Sequence, residues 1–194
     1  MKTDAKSNEI TAIPKLLELL DIKGSTITID AMGCQKEIAQ KILDAEADYV
    51  LSLKRNQKNT FDFVQNLFAD GLQNNFQGLE YTKFETIEKD HGRIERRRIY
   101  SINVGNGVEF DELKEWPGLK SVTMVVSTRE IIGKEKTVEY RYYLSSIEAN
   151  AEIIGSTIRF HWGMNYFNVF SSLLPVKWRK RRISVIITHV TKEA

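Results

Sequence analysis

The sequence predicts an α/β fold that continues into a block of antiparallel strands, α+β overall. Three observations carry this expectation. Helical and strand-like patterns alternate through the first third with short joints, as they do where strands pair in parallel. Strand-like segments with hairpin-type joints follow, from about Tyr81 to Ser146. A last helical pattern spans Ala149 to Met164. The 194 residues are enough for one domain with a full core, and 42% apolar with 28% charged residues is ordinary for a globular chain. The net charge of +2 is too small to argue for nucleic acid by itself. Cys34 is the single cysteine, so an internal disulfide is excluded. With no signal peptide and no apolar run of about 18 residues, a reducing cytoplasm is the expected compartment.

Each element has a local reason. Ile10, Ile13, Leu16, Leu17 and Leu20 recur at helical spacing, with Pro14 tolerable in the first turn and Lys23-Gly24 as the expected end. Ser25 to Ile29 is a strand rich in β-branched residues, and it runs straight into Asp30 and a Gly-containing loop. Gln35 to Ala45 places Ile38, Ala39, Ile42 and Leu43 on one helical face, and Asp48 to Lys54 reads as a second strand with a basic end. Asn56 to Asn75 reads as a third helix, with Phe61, Val64, Leu67, Phe68 and Leu72 recurring, closed near Gly71 and Asn74-Asn75. Strands are expected at Tyr81 to Ile87, Arg93 to Asn103, Lys120 to Arg129 and Val138 to Ser145. Turn signals at Asp90-His91-Gly92, Gly105-Asn106-Gly107 and Ile132-Gly133-Lys134 separate them. Tyr166 to Pro175 has no steady period, Lys177 to Arg182 packs five positive charges into six positions, and Ile183 to Val190 reads as a strand.

Chemistry concentrates at the ends of the first two strands. In open α/β sheets ligands and metals bind at the C-terminal strand ends, which makes Asp30 the first functional candidate, although an Asp there often only caps a turn. Lys54 and, less directly, Arg55 stand at the end of the neighbouring strand, where a cation can approach a phosphate. His91, Arg93 and Arg96 at the hairpin entrance either contact DNA phosphates or form charge pairs across strands. Cys34 follows a strand, where nucleophiles occur, but a lone cysteine without a His partner is usually inert. His91, His161 and His189 are too far apart in sequence to indicate zinc. His161 and Trp162 on the last helix, like Tyr142 and Tyr143, read as residues packed against the sheet. No Gly-x-Gly-x-x-Gly and no Walker loop occurs, which weakens any nucleotide-cofactor reading.

Lys6 to Pro14 and Thr28-Ile29-Asp30-Ala31-Met32-Gly33-Cys34-Gln35 closely resemble the H-repeat-associated proteins, ISAs-type transposases of bacterial insertion sequences. Further matches follow in order at Leu53-Lys54-Arg55-Asn56-Gln57, His91-Gly92-Arg93, Trp116-Pro117-Gly118-Leu119, Tyr142 to Ser146 and Ile158-Arg159-Phe160-His161-Trp162. The resemblance covers roughly residues 4 to 163. It implies a ribonuclease H-like core with a triad of two Asp and one Glu holding two Mg²⁺ ions, which activate the attacking oxygen and stabilise the leaving one. Asp30 would be the triad's second Asp and a metal ligand. DNA at insertion-sequence ends is the implied partner, with a homo-oligomer or an intact transposase beside it and neither membrane nor small-molecule cofactor.

On this resemblance residues 1–80 form a partial, incomplete ribonuclease H-like α/β core, 81–147 a β-rich antiparallel insertion, 148–165 the C-terminal core helix and 166–194 a divergent basic tail. Two departures bear on function. The family's first Asp lies on an opening strand that the sequence does not contain, and Asn165 stands where a His-Trp-x-x-Glu-Asn pattern places the Glu. An amide brings no negative charge to a metal, so an inactive copy is expected. The match stops after Met164, as a frameshift or an insertion junction would produce. Without the opening strands a sheet edge and apolar helix faces should be exposed, and solubility or stability poor. One rival reading is a non-catalytic DNA-binding remnant that interferes with an intact transposase. Another is a small-molecule hydrolase built on Cys34 or Asp30.

Overall fold

In a computed structural model, residues 12–90, 92–105, 108, 110–163 and 185–188 are described. The chain runs α1 (Ala12–Leu17), β1 (Thr26–Ile29), α2 (Lys36–Asp44), β2 (Asp48–Leu53), α3 (Lys58–Gln73), β3 (Tyr81–Asp90) and β4 (Arg93–Asn103). It continues through α4 (Asp111–Lys114), β5 (Ser121–Ile131), β6 (Thr137–Ser145), α5 (Ala151–Gly163) and β7 (Val185–Thr188). These strands form one sheet in the order β3-β4-β5-β6-β2-β1-β7. The α/β expectation holds: β1 and β2 are parallel, with Ile29 level with Leu51, and helix α2 makes the crossover. The expected antiparallel block is present as β3 to β6, and it continues the same sheet because β6 pairs with β2.

Alternation along β1 sorts its side chains onto two differently covered faces. Ile27 and Ile29 are buried with Ile13 and Leu17 of α1, Ile38 and Ile42 of α2, and Val64 and Phe68 of α3. The same parity on β2 places Tyr49, Leu51 and Leu53 in that core. Thr26 and Thr28 point to the opposite face, where Val50, Ile99, Val125 and Tyr143 meet Ala151, Ile154 and Ile158 of α5. A sheet covered on both faces explains why β1 and β2 read as near-continuous apolar runs.

Several expectations need correction. Helix α1 ends at Leu17, and Gly24 sits at φ 71° in the turn before β1 rather than closing the helix. Gly71 does not end α3 but lies inside it, where a Cβ would fall 2.5 Å from the ring of Phe76. The glycine there answers to close packing, and α3 runs on to Gln73. Strand β1 is not the edge of the sheet, since β7 pairs with it antiparallel, with Ile29 opposite Val185, and among the described residues β7 is the edge strand on that side. That pairing occupies backbone groups an open edge would present. The short helix α4 has no counterpart among the sequence expectations. The basic run Lys177 to Arg182 lies outside the described residues.

Candidate functional site

The alternation that sends Thr26 and Thr28 toward α5 continues to Asp30, the first residue after β1. Its backbone is extended, at φ −69° and ψ 176°, and its Oδ1 accepts a hydrogen bond of 3.1 Å from the Met32 amide, capping the single turn Ala31–Gly33. The capping role considered from the sequence is therefore the one observed. The half-buried carboxylate stands at the C-terminal end of the parallel pair, beside the loop that follows β2.

Two side-chain amides stitch these two loops together. Asn56 donates from Nδ2 to the Ala31 carbonyl at 2.7 Å, and Gln57 donates from Nε2 to the Cys34 carbonyl at 2.9 Å. Lys54 and Arg55 are exposed on the same loop, and the Arg55 guanidinium lies 5.7 Å from the Phe61 ring centre on α3. The motif Leu53 to Gln57 was legible as a match to a family, while the structural work of its two amides was not. The available signal was a pair of uncharged hydrogen-bonding residues immediately after a strand that ends beside Asp30.

Helix α5 reaches the site at its C-terminal end. His161 is buried, as expected of a residue packed on the sheet, and its Nδ1 shares a hydrogen bond of 2.8 Å with Thr28 Oγ1. Burial holds the imidazole below its ordinary pKa, and the nearby Asp30 charge opposes that only in part. His161 is therefore neutral at pH 7. Because the folded state resists the proton that the unfolded chain accepts, stability should fall as pH drops below about 6.5 and be insensitive to this group above that value. Urea melts at pH 7.5 and pH 5.5 check this, and His161→Asn should flatten the difference.

The remaining candidates separate. Arg96 pairs across strands with Glu85 of β3 at 3.4 Å, whereas Arg93 pairs with Glu95 of its own strand at 3.8 Å. Glu95 is buried and also meets Arg97 at 2.7 Å and Arg129 at 3.5 Å. The register places Tyr100 level with Leu53 through Met124 and Tyr142. Arg93 is seven residues further on, hence about 23 Å beyond the end of β2 in the direction of Asp30. The structure thus brings Asp30 and Lys54 to one end of the sheet and places Arg93 and Arg96 on an arm that projects from that end. His91 and Asn165 lie outside the described residues.

The Cys34 thiol is fully buried, and burial pushes its pKa far up. It can neither ionise readily nor reach a substrate, which removes the nucleophile of the hydrolase reading. Among the described residues no three Asp, Glu, His or Cys side chains gather as a group that could hold a metal ion. Asp30 alone, with one oxygen engaged by a backbone amide, does not make the oxygen-rich site that Mg²⁺ requires. Among the described residues no helix is long and apolar enough to cross a membrane.

The site thus consists of a parallel strand pair with a carboxylate at its C-terminal end and a helix that brings His161 to Thr28, and the sequence around it matches the DDE transposase domain. The chain belongs to that family: the profile described as "Transposase DDE domain" matches residues 1–164. Its relatives include the provisionally named transposase YncI of Escherichia coli O157:H7, 45% identical over 166 residues that make up 84% of this chain and 41% of that protein. The provisionally named H-repeat-associated transposase YhhI of Escherichia coli strain K12 is 44% identical over 165 residues, 84% of this chain and 43% of that protein. An uncharacterised Xanthobacter autotrophicus protein encoded in the dhlA 3′ region is 45% identical over 150 residues, covering 77% of this chain and 48% of its own length. The chain thus spans less than half the length of these curated relatives. No solved structure matches it.

Proposed function

We propose that this chain is the central part of an insertion-sequence transposase, with a ribonuclease H-like core, that contacts DNA and does not itself cut it. The observation that carries the reading is the position of Asp30, at the C-terminal end of β1 beside the parallel β2, within a match to the DDE domain. In the ancestral enzyme this carboxylate would share divalent cations with a second Asp and a Glu. Here Asn165 stands at the Glu position, and Asp30 is held as a turn cap. The residues present do not fit a two-metal centre, so no cutting step is assigned to them.

What they do fit is a phosphate backbone. Exposed Lys54 and Arg55 flank Asp30, and the β3–β4 arm carries Arg93 and Arg96 further along the same end of the sheet. Phosphate contacts of this kind position a duplex without reading its sequence. A chain that occupied insertion-sequence ends without cutting would compete with an intact transposase for them.

Fluorescence anisotropy with a labelled duplex over a range of salt concentrations tests the reading. Affinity should fall steeply with salt, and Lys54→Gln should weaken binding to all sequences alike while lowering the log–log slope by about one. Salt-independent binding, or none, would count against it.

A further inference from the structure

Strands β3 to β6 continue past the ends of β1 and β2, and between their extension and α5 lies a cleft of about 210 Å³. Its lining contains Arg97 of β4, Arg141 of β6 and Arg159 of α5, with the hydroxyls of Thr86, Ser127 and Ser156. Ile99 and Val125 supply an apolar floor. Among the described residues no acidic side chain lines it. Carboxylates that are not part of the lining hold these arginines: Glu88 pairs with Arg97 and Arg159, Glu95 with Arg97, and Glu139 with Arg141 at 2.8 Å.

We propose that this cleft binds a phosphate group, that of a DNA backbone running past Asp30. The inference rests on the DNA reading above and names a contact that the sequence did not suggest. Three arguments converge. A guanidinium has five N–H donors in a rigid fork, more than the carboxylate pairs at Arg97 and Arg159 use, so a phosphate oxygen can bond beside those carboxylates. The charged residues of the lining are all arginines, and the apolar floor strengthens their attraction for an anion that competes with Glu88, Glu95 and Glu139. The volume is below the range of whole small-molecule sites and suits one phosphate with its linkages.

Position supports the same ligand. Tyr142 pairs with Leu53, so Arg141 stands level with Lys54, just beyond the strand end. Arg141 shares the parity of Tyr143, which faces α5, the face toward which Thr28 and Asp30 are directed. Strand β6 is two places from β1 in the sheet, a lateral separation of about 10 Å. Tyr143 and Ile158 line both this cleft and the small void beside Thr28 and His161, so the two regions adjoin.

The test uses two probes, inorganic phosphate and a labelled 20-base-pair duplex, on the wild type and on the double variant Arg141→Gln/Arg159→Gln. Phosphate at constant ionic strength should raise the melting temperature of the wild type and leave that of the double variant unchanged. The double variant should bind the duplex about tenfold more weakly, with a salt slope shallower by one to two. Arg159→Lys should lose part of the affinity, since a point charge replaces a fork. If the double variant does not fold, Ser127→Asp, which places an anion in the lining, should abolish the phosphate effect instead. A folded double variant that binds phosphate and duplex like the wild type overturns the cleft while leaving the DNA reading intact. A wild type that binds no duplex, but whose phosphate response disappears in the variant, overturns the DNA source and leaves a free-phosphate site.

Discussion

Replacing Phe68 by alanine should destabilise the domain by about 3–5 kcal/mol, the cost of removing a fully buried aromatic ring and leaving the space only partly refilled. Phe68 is the largest fully buried side chain of α3, and its ring centre lies 6.3 Å from that of Phe76 and 6.2 Å from that of Tyr142. The loss is a large share of the 5–15 kcal/mol that holds an ordinary domain folded. Its consequences reach the site, because α3 carries Phe61, over which Arg55 lies, and follows directly on the loop whose Asn56 and Gln57 secure the Asp30 turn. Denaturant melts followed by circular dichroism measure the effect. Leu72→Ala on the same helix, at a side chain 41% exposed, should change stability by less than about 1 kcal/mol.

Gly33→Val should be nearly as damaging, for the opposite reason. A Cβ at Gly33 would fall 2.2 Å from Ile29 Cγ2 and 2.9 Å from Ile13 Cδ1. Neither neighbour can yield easily: Ile29 Cγ2 is attached directly at the branch of a buried strand residue, and Ile13 is buried against it from α1. Overpacking of this kind costs about 1–3 kcal/mol for small additions, and valine should lie at or above the top of that range. The strain is relieved by shifting the turn that Asp30 caps. Melts should therefore show reduced stability, and the Met32 amide should lose the downfield position that its hydrogen bond to Asp30 confers. Gly33→Ala should produce the same two effects at smaller size.

What could be read from the sequence follows the range over which each cause acts. The β-branched run ending in Asp30, the parallel β2 and the antiparallel hairpins were legible because alternation and turn residues act over a few positions. That Lys54 stands beside Asp30 followed from the parallel pairing alone. Glycines were less reliable guides, since Gly24 serves a turn and Gly71 a close approach of Phe76, and both had been read as helix ends. The contact between Thr28 and His161 joins residues 133 positions apart, and no local pattern announces it. The amides of Asn56 and Gln57 were quoted only as part of a motif, because their partners are backbone carbonyls of a different loop. The arginines of the cleft come from β4, β6 and α5, and only the register of a formed sheet assembles them. For Arg93 and Arg96 two readings were open: Arg96 meets Glu85 across the hairpin and Arg93 meets Glu95 along its own strand, and neither contact decides what approaches from solvent.

The proposal is that a DDE-family chain holds the strand-end Asp30 as a turn cap and binds DNA without cutting it. It is tested most directly by incubating the protein with supercoiled and linear DNA bearing insertion-sequence ends, in Mg²⁺ and separately in Mn²⁺. Gel analysis should show bound DNA but no nicked, linear or joined product above the level of an Asp30→Asn control. Metal-dependent nicking by the wild type that disappears in Asp30→Asn would contradict the account and show that Asp30 works in a complete catalytic centre.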